Sequence, residues 1–373
     1  MDRAVFTQDH EGFRVRVAGF VADEIVPEYL DWEHAGRPSR RFWRRAGELG
    51  ILGIGAPVEY GGMAGSTFTY SVVVTEEIQK RFLALGGLRV QTDICMPYFL
   101  HYANDEQKRR WLPQIVSGRA VTALALSEPG AGSDLKALST RAVREGDHYV
   151  VNGAKTFISN GSAADLVILA VKTAPESGRH GISLLVVETD SPGFHRGRSL
   201  DKLGLKAQDL AELSFTDLRV PAENLLGEEN RGFEYLTSNL AQERLSIAVN
   251  SQAAASAALA HTVETLSGAG LGQHAKFELA ACAAEVRAGQ ALVDRALAEL
   301  EAGLLTGADA ALAKLYCTEM QGRVVDRCLQ LHGKAGYGRD KHMGRAYVDG
   351  RVSRIYGGSS EIMKVIVAQS LGL

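Results

Sequence analysis

Only residues 121–220 read as β-structure, and they lie between two stretches that read as helix. V-T-A-L-A-L (121–126), H-Y-V-V-N-G (148–153), L-V-I-L-A-V (166–171) and I-S-L-L-V-V (182–187) are short apolar runs separated by turn-formers such as R-E-G-D and S-P-G-F. Several short strands at this spacing predict a small barrel or sandwich. Upstream, Phe13, Val17, Phe20 and Val21 form one helical stripe. Asn104-Asp105-Glu106 opens another helix before Trp111, and E-Y-G-G-M-A-G-S (59–66) is a loop by its glycines. From about residue 233 long Ala/Leu-rich periodic stretches return, as in a helical bundle. The expected fold is α+β: an N-terminal helical domain over 1–120, a middle β-domain over 121–232 and a C-terminal helical bundle over 233–373.

Composition narrows the function classes. A formal charge of −3 gives no electrostatic case for nucleic acid or an anionic membrane. No apolar run approaches the length of a membrane span, and the N-terminus lacks the basic-then-apolar shape of a signal peptide, so a cytoplasmic protein is expected. Arginine outnumbers lysine and the helices are rich in alanine, which reads as GC-rich bacterial coding. The four cysteines stand far apart, and the ten histidines show no H-E-x-x-H, so neither a disulfide framework nor a metal site is expected.

Four stretches could carry chemistry. In L-A-L-S-E-P-G-A-G-S-D (124–134) a strand runs into a glycine loop whose backbone N–H groups can face an anion or a ring, although a plain turn has the same composition. In N-G-A-K-T-F-I-S-N-G (152–161) Asn152-Gly153 is a hairpin signal, which would set Phe157 and Ser159 on one face of the next strand. Phe233, Leu236, Leu240, Glu243 and Ile247 follow spacings of 3, 4, 3 and 4, so Glu243 occupies an apolar stripe. Burial there would raise its pKa toward the range of proton transfer, unless an arginine pairs with it. Finally, R-I-Y-G-G-S-S-E-I-M-K (354–364) is a helix start, with Ser359 or Ser360 as cap and Glu361 at the positive end of the dipole. In the helix that follows, Ile362, Val365, Ile366 and Gln369 share a face.

Taken in order, these stretches resemble the acyl-CoA dehydrogenase family. The likeness runs from E-Y-G-G through S-E-P-G-A-G-S-D, N-G-A-K-T-F-I-S-N-G, R-V-P-A-E-N-L-L-G-E-E-N-R-G-F, Q-E-R-L and Q-L-H-G-K-A-G-Y to I-Y-G-G-S-S-E-I-M-K. The resemblance implies a helical domain, a middle β-barrel domain and a C-terminal four-helix bundle, with FAD between the last two. It also implies a homotetramer in which a neighbour completes each FAD site, and electron-transfer flavoprotein or a similar acceptor. The implied reaction converts an acyl-CoA thioester to its trans-2-enoyl form. Carried over by position, Leu124, Leu126, Ser127, Gly132 and Ser133 lie along the flavin, Ser133 also near substrate. Phe157, Ile158 and Ser159 pack on its other side, and Gln330, Gly333, Lys334, Ser359 and Glu361 meet the dinucleotide. Arg179 and His180 match a loop beside the CoA, Arg244 a position near substrate, and Gly357 and Gly358 the floor of the acyl pocket. Many members carry the catalytic base directly after the tyrosine of I-Y-x-G, where this chain has Gly357. Those resembling the long-chain and isovaleryl enzymes carry it on the helix, at the position of Glu243. Two glycines in place of that base predict extra room for longer, branched or bulky acyl groups.

Two departures from the family pattern stand out. The usual R-x-x-F-G is missing from 265–281, where no arginine occurs between Arg244 and Arg287, and H-G-G reads His332-Gly333-Lys334. They support a rival reading: a degenerate or structural subunit of a hetero-oligomer with a homologue. A third reading is a dehydrogenase of carrier-protein-bound acyl thioesters.

Overall fold

The computed structural model describes residues 3–268, 270–338 and 340–373. Its N-terminal segment contains α1 (Gln8–Phe20), α2 (Val26–Ala35), α3 (Arg40–Glu48), α4 (Phe68–Gln79), α5 (Gly86–Arg89), α6 (Met96–Tyr102) and α7 (Asp105–Val116). The stripe Phe13, Val17, Phe20 and Val21 is buried and packs with Trp32, Phe42 and Trp43. Asn104 caps α7 by accepting from Gln107 N, as its sequence predicts.

Two wide π-turns interrupt these helices, Val21–Ile25 between α1 and α2 and Val90–Cys95 between α5 and α6. Each is followed by a proline, Pro27 and Pro97. Proline has no N–H and crowds the carbonyl four residues back, and the wider turn relieves that clash. For Pro97 the carbonyl concerned is Asp93 O, which accepts instead from Gln242 Nε2 at 3.0 Å. Residues 86–102 therefore form one bent rod tied at its bend to the C-terminal segment.

The middle segment contains β1 (Thr122–Ala125), β2 (Arg141–Glu145), β3 (His148–Ser159), β4 (Leu166–Lys172), β5 (Ile182–Glu188), β6 (Phe194–Ser199) and β7 (Leu210–Pro221). They hydrogen-bond in the order β1-β4-β2-β3-β7-β6, with β5 branching from β4. β2 meets β4 only at Arg141 and Lys172, so the sheet folds there, and both halves enclose one core of Val151, Val167, Leu169, Val187, Leu213 and Leu218. One hairpin expectation is corrected. Asn152-Gly153 is a bulge inside β3, where a Cβ on Gly153 would lie 2.6 Å from Thr140 Oγ1. The turn falls earlier, at Gly146 with φ +65°, between β2 and β3.

In the C-terminal segment α8 (Gly232–Leu266), α9 (Gln273–Glu301) and α10 (Gly307–His332) pack on one another, and α12 (Ser360–Ser370) lies against α10 as a fourth member. The short α11 (His342–Gly350) also rests on α10. The inward face of α12 carries Ser360 and Met363, whereas Val365, expected on the apolar face, is 51% exposed. The fourfold periodic pattern of a short helix leaves its inward side undetermined until its neighbours are known.

Candidate active site

The loop after β1 is held to β3 from beneath by a buried ion pair. Lys155 Nζ lies 2.8 Å from Glu128 Oε1 and 3.0 Å from Leu126 O. Glu128 also accepts from Ser139 N, Ser139 Oγ and Thr140 N. Burial opposes its charge, but the bonds from Lys155, Ser139 and Thr140 outweigh burial and hold the carboxyl at about 2. Thr156 N donates to Ser127 O at 2.9 Å, which completes the stitch between the two glycine-containing motifs.

Above that stitch Phe157 stands 65% exposed with φ +58°, beside a register shift in β3. An exposed aromatic in the left-handed region is a strained arrangement of the kind that functional sites retain. Leu124, Leu126 and Ser127 are half-buried on the adjoining edge, and Gly132 and Ser133 are exposed beyond them. Ser159 Oγ accepts from Gln208 Nε2 at 2.9 Å, and its own proton has no acceptor among the described residues. The Ile158 side chain is in the sheet core, so only its backbone can serve this edge. An uncovered ring, flanking apolar side chains and free hydroxyls fit the flavin end of FAD.

Glu243 is on α8, which packs against the bent rod. It is 8% exposed, and Tyr98 Oη donates to its Oε1 at 3.1 Å. Burial drives the Glu243 pKa up to about 7, against the lowering influence of Tyr98 and Arg244. Arg244 is itself 8% exposed, and its Nε has no hydrogen-bond partner among the described residues. The alternative of a glutamate neutralised by a buried arginine is therefore not what the geometry presents: the two groups influence each other without an ion pair among the described residues.

One helical turn beyond Glu243, Ile247 reaches the Gly357 turn. Gly357 has φ +62° and Gly358 φ +93°, and a Cβ on Gly357 would lie 2.3 Å from Ile247 Cδ1. The expected extra room at the floor is thus taken up by Ile247. Neither Gly357 N–H nor Gly358 N–H has an acceptor among the described residues. Ser359 caps α12 by accepting from Ile362 N, and the Glu361 carboxyl is lowered first by its own backbone N–H and then by Ser359, as expected of a first-turn acid.

The remaining expected residues lie apart from Glu243. Arg179 and His180 are exposed on the β4–β5 loop, Arg179 over the Phe233 ring at 5.4 Å. Gln330, Gly333 and Lys334 are exposed at the far end of α10, where Gly333 has φ +55°. From Lys314, which touches the Gly357 turn, Gln330 is about 24 Å along the helix at 1.5 Å per residue. A free backbone and a lysine there suit a phosphate, but not one bound beside Glu243 of the same chain. Sequence reasoning missed Tyr98, Lys155 and Lys314, and read Ile247 only as part of the apolar stripe. The usable signals were Pro97, which marks a bend where side chains redirect, and lysines inside otherwise apolar runs.

Three family models match in sequence order. Residues 7–119 match "Acyl-CoA dehydrogenase, N-terminal domain", 123–218 the middle domain, and 230–372 the C-terminal domain. The long-chain specific acyl-CoA dehydrogenase of Sus scrofa mitochondria is 40% identical, covering 99% of this chain and 88% of that protein. A crystal structure of acyl-CoA dehydrogenase from Geobacillus kaustophilus superposes with TM-score 0.97 at 44% identity over the whole of both chains. An acyl-CoA dehydrogenase complexed with FAD from Bacillus anthracis gives TM-score 0.89 at 29% identity, covering 98% of this chain and 67% of that one.

Proposed function

The chain belongs to the acyl-CoA dehydrogenase family, an FAD-dependent oxidoreductase family acting on CH–CH groups, and from that premise we propose that Glu243 is the base of this enzyme. The observation that carries the proposal is a buried carboxyl with a pKa of about 7 that accepts from Tyr98, one helical turn before Ile247, which meets the Gly357 turn. The substrate is an acyl-CoA thioester with hydrogens on its α and β carbons. Bound FAD would supply the hydride acceptor for the β-carbon.

The side chains divide the rest of the work. A pKa near neutrality keeps a large fraction of Glu243 ionised while leaving it basic enough to accept the α-proton. Tyr98 occupies Oε1, which leaves Oε2 to receive that proton. As the proton leaves, charge gathers on the thioester oxygen, and the Gly357 N–H is free to donate to it. Leu124, Leu126, Ser127, Phe157 and Ser159 hold the ring end of FAD, with Gly132, Ser133 and the Ile158 backbone beside it. Arg179 and His180 meet the CoA, and Arg244 is near the reacting end. Because Gln330, Gly333 and Lys334 lie so far along α10, they serve the dinucleotide of a neighbouring subunit in a homotetramer. Electrons pass to electron-transfer flavoprotein or a similar acceptor.

Purified protein tests the reading directly. A stoichiometric flavin band that acyl-CoA bleaches, and that Glu243→Gln retains without bleaching, is the expected result. Undiminished bleaching in Glu243→Gln removes Glu243 as the base. A colourless protein that FAD cannot reconstitute favours the companion-subunit reading.

A further inference from the structure

Lys314 has none of its surface exposed. Its Nζ donates to Gly358 O at 2.6 Å and Ser353 O at 3.2 Å, and so bridges the two ends of the turn that carries Gly357. No carboxylate pairs with it among the described residues. Burying an ammonium without a counter-ion is unfavourable, and a methionine would fill the same space without that cost. Its Cε lies 3.7 Å from the Cβ position of Gly357, with Ile247 Cδ1 also against that position. Arg244 is near enough to act electrostatically on both Lys314 and Glu243. A buried cation, within the electrostatic reach of a second, therefore holds a glycine turn whose N–H groups lack acceptors among the described residues.

We infer that Lys314 is a positioning residue for the thioester oxygen. It holds the turn so that the Gly357 N–H meets that oxygen, and it supplies a positive field for the charge that gathers there. The inference rests on the proposed role of Glu243 and extends it. In the step concerned the α-proton passes to Glu243, and the C–H electron pair moves toward the thioester carbonyl; nothing is oxidised. The charged groups that act on Lys314 are Arg244 on α8 and Glu319 on α10, and Glu319 is paired with Arg354 at 3.3 Å. Burial, and then Arg244, lower the Lys314 pKa to about 8 against the opposing pull of Glu319. The field should therefore fade as pH rises through about 8.

The test uses the FAD-loaded holoenzyme and a 3-thia-acyl-CoA, whose β-sulfur blocks hydride loss. Exchange of its α-hydrogens with D2O, followed by mass spectrometry, reads proton removal alone. Lys314→Met should slow exchange by about tenfold or more, with flavin content and half-saturating ligand concentration little changed, and Lys314→Arg should restore most of the rate. Wild-type exchange should also decline above pH of about 8, and that decline should move upward in Lys314→Arg. Wild-type rates in folded Lys314→Met overturn the inference. If Lys314→Met does not fold, the profiles decide: a decline absent from the wild type, or shared by Lys314→Arg, overturns it. Exchange that persists in Glu243→Gln instead overturns the role of Glu243, a distinguishable failure.

Discussion

Replacing Tyr98 with phenylalanine removes the one bond donated to Glu243 Oε1 among the described residues and leaves the ring, which is fully buried, in place. A hydrogen bond to a charged group contributes about 1.5–3 kcal/mol. At 1.36 kcal/mol per pKa unit, its loss raises the Glu243 pKa by about one to two. Starting from about 7, the base in Tyr98→Phe titrates near 8 to 9. At pH 7 the ionised fraction falls from about one half to between one tenth and one hundredth, a decrease of about 5- to 50-fold. The assay is the pH profile of kcat for acyl-CoA oxidation with a dye acceptor. The acid limb should move upward by that interval, and the rate at high pH should approach the wild-type value. An unmoved acid limb in a folded, flavin-replete Tyr98→Phe would refute the reasoning, because burial would then set the base alone.

Other outcomes follow from the same contacts. Folding raises the Glu243 pKa from 4.5 to about 7, so this group favours the folded state at acid pH, and its contribution declines as pH rises from about 4.5 through about 7. Glu243→Gln, although inactive, should therefore be more stable than wild type at pH 8, by up to about 3 kcal/mol in denaturant titration. Lys155→Met should cost about 3–5 kcal/mol by stranding buried Glu128, and flavin content should fall with it. The Glu128 carboxyl, held at about 2, stabilises the fold above its unfolded pKa and stops doing so as pH falls toward 2, so acid unfolding of wild type should sharpen there. Gly357→Glu in the Glu243→Gln background should not restore turnover, since the new Cβ meets Ile247 and φ is +62°. Adding Ile247→Ala should permit partial recovery of activity.

Much of this was legible in the residues themselves. The change of texture near 121 and 233 marks helix, sheet and helix because strand and helix periods differ. Glu243 announced itself as a charge on an apolar stripe, a signal that local spacing carries in full. What escaped were pairings across segments. Tyr98 and Glu243 are 145 residues apart, and Lys155 and Glu128 join neighbouring motifs from beneath the sheet. Asn152-Gly153 misled because a bulge and a turn call for the same residues, and only the strand partner separates them. The emptiness expected at Gly357 was a statement about one position, while the volume belongs to Ile247 from another helix.

The bent rod of residues 86–102 has a consequence for how such a chain can change over time. Its bend delivers Tyr98 from the N-terminal helices to a carboxyl on α8, while Asp93 O at the same bend is held by Gln242 from α8. The acidity of Glu243 is therefore an inherited property of two segments jointly. A chimaera that receives foreign N-terminal helices keeps Glu243 but loses its tuning. Recombination at the helix–sheet boundary should produce folded hybrids whose pH optima differ from those of both parents.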